Sequence, residues 1–351
     1  MMAFTSINIQ NFRGIKSLEM DDFGQVNVFV GKNSIGKSSV LEAFFMTAAI
    51  SNGAIPLNLN SWRGMDSLAF LGLNLFFHNF HYQDQESQNL PHFIASLKRP
   101  DEVRHLTLIP VKDTLFQATP DFNAPMLSGL LQDFSIHKGQ NSSQNYQTKT
   151  VIQSLSPPSM QTIPPQGYQE KMMSYFISPR MTTVDAAVLR DLIVKKRGIG
   201  IVKALKNIDE RIEDIVLVQN SLYCDIGLSE LMPLAVMGDG IRKMLFILGV
   251  IATNPDGVVC LDEIENGFHY SSITVLWDSL LKAAKEFNVQ VFATTHSYEC
   301  LAALAKVQEA NLFGEDIVRV FRLERDGEEH RAVKIDGEDL AFMTQKGWEI
   351  R

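Results

Sequence analysis

The feature that most limits how this chain can fold is an eight-residue run at 31–38, Gly-Lys-Asn-Ser-Ile-Gly-Lys-Ser. It fits the pattern G-x-x-x-x-G-K-[ST] without deviation. An apolar run at 26–30 precedes it, and a stretch at 38–50 with apolar positions at helical spacing follows. Strand, loop and helix in this order predict a phosphate-binding loop, whose glycines let backbone N–H groups surround phosphate oxygens. The alternative, a glycine-rich turn with an incidental lysine, leaves both flanks unexplained.

Each residue type in this loop has a chemical reason to be there. Lys37 neutralises charge on the β- and γ-phosphates, and the Ser38 hydroxyl is a ligand for Mg²⁺. We therefore predict that ATP and Mg²⁺ bind here. The nucleotide contacts predicted from this part of the chain are Gly31, Lys32, Asn33, Ser34, Gly36, Lys37, Ser38 and Ser39.

Two later apolar runs end in side chains that would complete such a site. The run at 258–261 is followed by Asp262, predicted to bind Mg²⁺ through water, and by Glu263, predicted to act as general base. The run at 291–294 leads to His296, predicted to contact the γ-phosphate and orient the attacking water. The alternatives are a solvated strand end for the two carboxylates and a structural histidine for His296.

Composition predicts a folded, soluble cytoplasmic protein. The 351 residues are 45% hydrophobic and 21% charged, which is too apolar for a disordered chain and sufficient for a sizeable core. The net charge of −8 argues against wholesale nucleic-acid coating, although a local basic face stays open. Three dispersed cysteines predict neither a disulfide framework nor a metal knuckle. The longest apolar run, 244–252, is too short to cross a membrane, so no membrane contact is expected.

The predicted fold class is α/β, a P-loop NTPase with a mixed sheet, flanking helices and an inserted, partly irregular second lobe. Four segments are predicted: an ATPase part with the phosphate loop at 1–82, an inserted lobe at 83–224, a second ATPase part at 225–316, and C-terminal strands at 317–351. Ser, Gln, Asn and Pro accumulate in the inserted lobe, which predicts an irregular or β-rich region with mobile loops near 138–150 and 156–168. Two amphipathic helices are predicted beyond them, at 184–196 and 200–213.

The motifs and their order resemble those of a known superfamily. Beyond the phosphate loop the resemblance rests on Asn-Phe-Arg-Gly at 11–14, Leu-Glu-Ala at 41–43, Met-Gly-Asp-Gly-Ile-Arg at 237–242, Glu-Asn-Gly-Phe-His at 265–269 and Thr-His-Ser at 295–297. The chain resembles an ABC-type ATPase head of the SMC-like superfamily. It is most similar to the compact ATPase domains of the OLD (overcoming lysogenization defect) family and related AAA-labelled ATPases of bacterial defence systems. These blocks cover roughly half of the chain.

The resemblance implies a homodimer or higher homo-oligomer, in which ATP lies between the phosphate loop of one head and a signature loop of another. Here the signature corresponds to Gly238, Asp239 and Gly240, at the start of a helix that carries Arg242. The usual signature has a serine before paired glycines, and Asp239 would repel a phosphate unless Arg242 paired it. A glycine turn capping a helix is the alternative. Arg13 corresponds to an arginine that reaches the nucleotide in similar heads, or is a surface arginine.

Other parts of the pattern are incomplete. For the loop glutamine of such heads, the strand-like run 175–177 ending at Ser178 is the candidate position. His269 either relays between two sites or caps the next helix. No Asp-x-Asp pair follows His296, so no TOPRIM nuclease domain is predicted. His78 and His81 have metal-like spacing, but no further ligand set accompanies them.

Two functions from different classes follow. The first is an ATPase subunit of a bacterial anti-phage system, whose ATP-driven assembly controls a separate effector protein. The second is a RecF-like DNA-binding repair or recombination ATPase, and a transporter motor ranks last. DNA remains a possible partner because a modest basic cluster is either a solvated face or a backbone contact. The cluster comprises Lys195, Lys196, Arg197, Lys203 and Lys206.

Overall fold

The computed structural model describes residues 3–64, 90–98, 101–112, 127–139, 143–153, 159–181, 189–190, 192–193, 199–310 and 317–346. Its helices are α1 (Lys37–Ala48), α2 (Ile55–Trp62), α3 (Ile199–Lys206), α4 (Asp239–Thr253), α5 (Ile273–Glu286), α6 (Tyr298–Glu309) and α7 (Gly337–Lys346). Its strands are β1 (Ala3–Phe12), β2 (Ile15–Asp21), β3 (Val26–Val30), β4 (His92–Lys98), β5 (Glu102–Lys112), β6 (Leu127–Lys138), β7 (Gln144–Gln153), β8 (Ser159–Ile163), β9 (Ser174–Ile177), β10 (Asp214–Val218), β11 (Ser221–Asp225), β12 (Met232–Pro233), β13 (Val258–Leu261), β14 (Gln290–Thr294), β15 (Val318–Asp326) and β16 (Glu329–Ile335).

A six-stranded mixed sheet, in the order β16-β15-β3-β14-β13-β9, carries the predicted motifs. The five strands from β15 to β9 run parallel, and β16 joins β15 as an antiparallel hairpin. The carboxyl ends of β3, β13 and β14 therefore meet at one edge of the sheet. Ligands of open parallel sheets bind in the crevice at that edge, which is where the predicted site residues follow their strands.

A seven-stranded antiparallel sheet, in the order β2-β1-β4-β5-β6-β7-β8, lies on the other side of α1. Because α1 contacts strands of both sheets, almost all of its residues are buried. The ring of Phe44 on α1 stacks on Phe292 of β14 with 3.9 Å between centroids, and Phe29 of β3 stacks against both rings. This aromatic cluster fixes the helix that begins at the phosphate loop against the sheet that carries the acidic strand.

The opposite face of the six-stranded sheet packs on α4, α5 and α6. Alternate strand residues divide between the two cores, as the period of two requires: Val259 faces these helices, and Cys260 faces α1. A third, three-stranded sheet is formed by β10, β11 and β12. None of the described helices is long and apolar enough to cross a membrane.

The α/β fold class with a mixed sheet and flanking helices is confirmed, whereas two local expectations are wrong. The sequence predicts mobile loops near 138–150 and 156–168, but β7 occupies 144–150 of the first stretch and β8 occupies 159–163 of the second. Their polar residues alternate with inward-facing Thr148 and Thr150, which are buried, so the strands lack the apolar alternation that marks a strand in sequence. The helix expected at 200–213 ends at Lys206, and most of 184–196 lies outside the described residues.

The division of the chain into four segments stays a prediction. Each large sheet combines strands from more than one of these segments. The strands β4 to β8, from the predicted inserted lobe, continue the sheet begun by β1 and β2. From the same segment, β9 joins the six-stranded sheet beside β13, and β15 and β16 of the predicted tail extend its other end.

A buried ion-pair cluster fastens the seven-stranded sheet to the end of α1. Arg104 on β5, 1% exposed, bonds Glu102 and Glu170, and its Nη1 donates to the carbonyl oxygens of Thr47 and Ala48. The guanidinium thus satisfies two carbonyls that the helix end leaves unpaired.

We expect Arg104→Met to lower the free energy of unfolding by about 3–5 kcal/mol, because it leaves the buried Glu102, the partly buried Glu170 and two carbonyls without this partner. Urea unfolding followed by circular dichroism measures this loss. Arg211→Met removes an exposed arginine paired with Asp209 and serves as the matched control, with no measurable change expected. A midpoint for Arg104→Met equal to that of the control would contradict the structural role.

Candidate functional site

The phosphate loop joins β3 to α1 through two glycines with positive φ. Gly31 has a φ of +139°, and a Cβ there would lie 2.7 Å from the Leu323 carbonyl oxygen. Gly36 has a φ of +104° and is the N-cap of α1. Both positions therefore require glycine, and the loop directs the free N–H groups of the helix start toward one point. Lys32, Asn33 and Ser34 are exposed around it, while Ser39 is buried.

Lys37 folds back into this loop. Its Nζ donates to the carbonyl oxygens of Gly31 at 2.6 Å and Lys32 at 2.8 Å, and the residue is 4% exposed. Burial lowers the pKa of Lys37 to about 8, against the opposing effect of Asp262 and Glu263. The ammonium is thus held inside the loop where a phosphate would compensate its burial.

Asp262 follows β13 and accepts two hydroxyl hydrogen bonds on Oδ1. Ser38 Oγ donates to it at 3.0 Å and Thr294 Oγ1 at 2.6 Å. These contacts join the helix start, the acidic strand and the next strand, which lie far apart in sequence. Burial raises the pKa of Asp262, while the Thr294 and Ser38 hydroxyls act in the opposite direction.

Glu263 and His296 lie at the same edge of the sheet. Glu263 has a φ of +51°, in the left-handed region, and its N–H donates to Thr294 Oγ1 at 2.8 Å. The His296 N–H donates to Glu265 Oε1 at 2.8 Å, which joins the loop after β13 to the loop after β14. Burial and the nearby charge of Lys37 lower the pKa of His296, so the imidazole is favoured in its neutral form.

The donor set fits Mg²⁺. The Ser38 hydroxyl and the Asp262 carboxylate are oxygen ligands, and their direct hydrogen bond places them close enough to share one ion. Mg²⁺ is typically held by one or two carboxylates together with substrate phosphates and water. Among the described residues, no cluster of three or more His, Cys, Asp or Glu side chains could hold a metal alone. Here the remaining ligands would come from phosphate and water.

The predicted signature loop begins α4, as the sequence indicates. Asp239 is the first residue of the helix, and its carboxylate pairs with the Arg242 guanidinium. This pairing reduces the repulsion that Asp239 would exert on a phosphate. The loop lies beside the segment after β13, since a Cβ on Gly240 would be 3.5 Å from the Gly267 carbonyl oxygen. His269 caps the short 3₁₀ turn that follows by accepting from the Ser271 N–H.

Arg13 lies against α1 and not in the phosphate loop. Its Nε bonds Glu42 Oε2 at 2.5 Å, and Arg63 Nε bonds the other oxygen of the same carboxylate at 2.5 Å. Glu42 is 2% exposed and stands one helical turn after Ser38. The contact of Arg13 with nucleotide stays a prediction, and the structure adds Glu42 and Arg63 to the surroundings of the site.

A cavity of about 330 Å³ adjoins the acidic residues. Its wall includes Ser38, Asp262, Glu263, Arg63 and Ser178. Ser178 directly follows β9, the neighbour of β13, and its buried Oγ has no hydrogen-bond partner among the described residues. The candidate position for the loop glutamine therefore faces the predicted metal ligands, although its role is still a prediction.

Sequence motifs located most of this site, but not its supporting residues. Their contacts arise from the tertiary fold, and no spacing rule in the sequence predicts them. These supporting residues are Thr294, Glu42, Arg63 and Glu265. The position of Thr294, the last residue of β14 and directly before Thr295 and His296, is the one available signal. His78, His81 and the basic run 195–197 lie outside the described residues, whereas Lys203 and Lys206 are exposed on α3.

Comparison with known proteins gives a family and several relatives. The sequence model of the family described as "AAA domain, putative AbiEii toxin, Type IV TA system" matches residues 26–302. An ATP/GTP phosphatase from Helicobacter pylori is 23% identical, and the alignment covers 97% of each chain. The DNA replication and repair protein RecF from Lactobacillus acidophilus is 43% identical over 47 residues, which are 13% of this chain and 12% of RecF.

Solved SMC heads are also similar. An SMC head bound to the C-winged helix domain of ScpA is 11% identical, with 95% of this chain and 98% of that chain covered and a TM-score of 0.47. The SMC head domain from Thermotoga maritima is 11% identical, with 95% and 100% covered and a TM-score of 0.45. The family match runs from the strand before the phosphate loop to the helix after His296, well over half of the chain. The chain therefore belongs to this family of AAA domains.

Proposed function

We propose that this chain binds ATP with Mg²⁺ and hydrolyses it to ADP and phosphate. One observation carries the proposal: Ser38, Asp262 and Thr294 form a hydrogen-bonded set at the strand ends, directly beside the phosphate loop and Glu263. Hydrolysis needs a phosphate cradle, metal ligands and a carboxylate near the attacking water, and these residues supply all three. The similarity to an ATP/GTP phosphatase over almost the whole chain supports the same reaction class.

The residues have separate roles in this proposal. Lys37 and the N–H groups at the start of α1 bind the phosphates and neutralise their charge. Ser38 and Asp262 would hold Mg²⁺, which when bound supplies positive charge against the β- and γ-phosphate oxygens. Glu263 accepts a proton from the attacking water, and the neutral imidazole of His296 orients that water or the γ-phosphate.

We further propose that hydrolysis requires two copies of the chain. The N-terminus of α4, with Gly238, Asp239 and Gly240, carries partial positive charge and would face the γ-phosphate of a partner copy. The Asp239–Arg242 pair supports this, because it offsets the one unfavourable charge in the loop. Two large apolar side chains near this face, Val236 and Tyr270, are 63% and 71% exposed, as expected of a surface covered on assembly.

The biological role proposed is ATP-driven control of a separate effector protein in a bacterial defence system, within the cytoplasm. The family's description, which names a toxin of a toxin–antitoxin system, supports a role in which an ATPase and a second protein act together. A RecF-like role in DNA repair is the second candidate, favoured by the short RecF match and by exposed Lys203 and Lys206 on α3.

A matched pair of glycine substitutions tests the dimer. A Cβ at Gly238 or at Gly200 would have no atom within 4 Å, so Gly238→Leu and Gly200→Leu should both fold. We expect MgATP to dimerise the Glu263→Gln chain in sedimentation velocity. Adding Gly238→Leu should abolish the dimer, since the leucine blocks a trans phosphate, and adding Gly200→Leu should leave it intact. A dimer unaffected by Gly238→Leu would exclude the proposed trans contact.

Titration with duplex DNA separates the two biological roles. An ATP-dependent affinity that falls steeply with salt, and that weakens on replacing Lys203 and Lys206 together by glutamine, would support the RecF-like role. Affinity that is absent at 50 mM salt would favour control of a protein effector.

A further inference from the structure

The backbone of Glu263 is held on both sides by side chains from other elements. Its φ of +51° lies in the left-handed region, which is unfavourable for an L-residue other than glycine. On one side its N–H donates to Thr294 Oγ1, and on the other its carbonyl oxygen accepts a 3.3 Å hydrogen bond from Lys243 Nζ. A backbone conformation of this kind persists only where the surroundings impose it.

Lys243 comes from α4, one helical turn after Asp239. It is 7% exposed, although lysine is seldom buried without a partner. A Cβ on Gly267 would lie 3.7 Å from Lys243 Cδ and 3.8 Å from Asp239 Cβ, so the loop after β13 lies directly on the first turns of α4. The lysine stem thus runs beneath the loop after β13, and its Nζ lies at the carbonyl oxygen of Glu263, the proposed general base.

Glu265 extends the same connection to the loop after β14. Its Oε1 accepts the His296 N–H, while its buried Oε2 has no hydrogen-bond partner within the described part of the chain. Burial lowers the pKa of Lys243 to about 8, while the charges of Glu265, Glu263 and Asp262 act in the opposite direction. The side chains of Lys243 and Glu265 therefore connect helix α4, the loop after β13 and the loop after β14 within one copy of the chain.

We propose that Lys243 is a positioning residue, which fixes the backbone of Glu263 and so couples the position of α4 to the placement of the catalytic carboxylate. This inference rests on the proposed ATP hydrolysis and on the proposed contact between α4 and the triphosphate of a partner copy. When a partner's triphosphate engages the N-terminus of α4, a displacement of that helix carries Lys243 with it. The Glu263 carboxylate is then aligned in one subunit by nucleotide bound in the other.

Lys243→Met keeps the length of the side chain and removes its hydrogen bond to Glu263. We expect kcat for ATP hydrolysis to fall by about 10- to 100-fold, as for other residues that orient a catalytic group. The KM and the MgATP dissociation constant should stay within about twofold, because Lys243 does not touch the phosphate loop. Lys243→Arg restores a donor and should recover most of the lost turnover. Lys282→Met, on the exposed face of α5, is the matched control and should turn over normally.

A second measurement distinguishes positioning from stability. In the Glu263→Gln background, adding Lys243→Met should lower the residual turnover no further, because the group that Lys243 orients is already inactive. Equal kcat values for Lys243→Met and the wild type would overturn the inference. It would also be overturned if Lys243→Met lowered kcat by the same factor in the wild-type and Glu263→Gln backgrounds and lowered the urea midpoint of unfolding, because that result indicates a general loss of stability. A wild-type chain without any ATP turnover would instead refute the proposed function, and this inference with it.

Discussion

Glu263→Gln is expected to lower kcat for ATP hydrolysis by about 10²- to 10⁴-fold while MgATP still binds, the range that a general base contributes. Glutamine is nearly isosteric with glutamate, and the backbone contacts of this residue, to Thr294 and Lys243, do not depend on the side chain. Only the group proposed to accept a proton from water is removed. Single-turnover phosphate release measures the chemical step, and fluorescence titration with a labelled ATP analogue measures binding.

The same substitution at an exposed carboxylate gives the control. Glu286 ends α5 on the surface, so Glu286→Gln should have wild-type kcat. If Glu263→Gln retains nucleotide as expected, it should also accumulate the proposed ATP-bound dimer, which hydrolysis in the wild type would dissociate. Turnover within twofold of the wild type would rule out Glu263 as the general base and leave the water to be activated by another group.

The parts of the site that the sequence predicts are those whose chemistry is contiguous. The phosphate loop needs its glycines and lysine within eight residues. Asp262 and Glu263 directly follow one apolar run, and His296 comes two residues after the run 291–294. Parallel strands bring their carboxyl ends to one edge, so locating β3, β13 and β14 was sufficient to place these residues together. Their predicted catalytic roles await the experiments above.

The supporting contacts could not be predicted in this way. Lys243 is one lysine among apolar helix residues, and its contact with Glu263 depends on how α4 packs under the loop after β13. Glu42 belongs to a recognised run of residues, but only the fold shows that Arg13 and Arg63 share its carboxylate. Such contacts join segments distant in sequence, and local patterns carry no information about them.

The sequence predicts an irregular or β-rich inserted lobe, but not each strand of the sheet formed by β4 to β8. Its outward face carries polar or half-buried side chains, and its inward face includes threonine, glutamine and arginine. Thr148, Thr150, Gln132 and Arg104 are all buried through hydrogen bonds to backbone carbonyls of other segments. On β7, where Thr148 and Thr150 occupy the buried positions, tertiary hydrogen bonding thus replaces the apolar alternation on which a prediction of strands depends.

The second large effect is expected at Lys37. Lys37→Met removes the ammonium that would bind phosphate and should weaken MgATP binding by about 100-fold, or about 2.8 kcal/mol, as expected for hydrogen bonds to a charged group. The Gly31 and Lys32 carbonyls would also lose their donor. Equilibrium dialysis with radiolabelled ATP measures the change. Lys282→Met again gives the control for loss of one lysine charge, and its binding should equal that of the wild type.

The dependence of binding on pH distinguishes a charged contact from a merely structural lysine. Burial lowers the pKa of Lys37 to about 8, and bound phosphates would raise it again. A group whose pKa rises on binding contributes its full affinity below the pKa of the free protein and loses that contribution as pH increases above it. MgATP affinity should therefore be constant up to about pH 8 and then fall by up to about tenfold per pH unit. In Lys37→Met this fall should disappear, and a fall that persists would assign the titration to a different group.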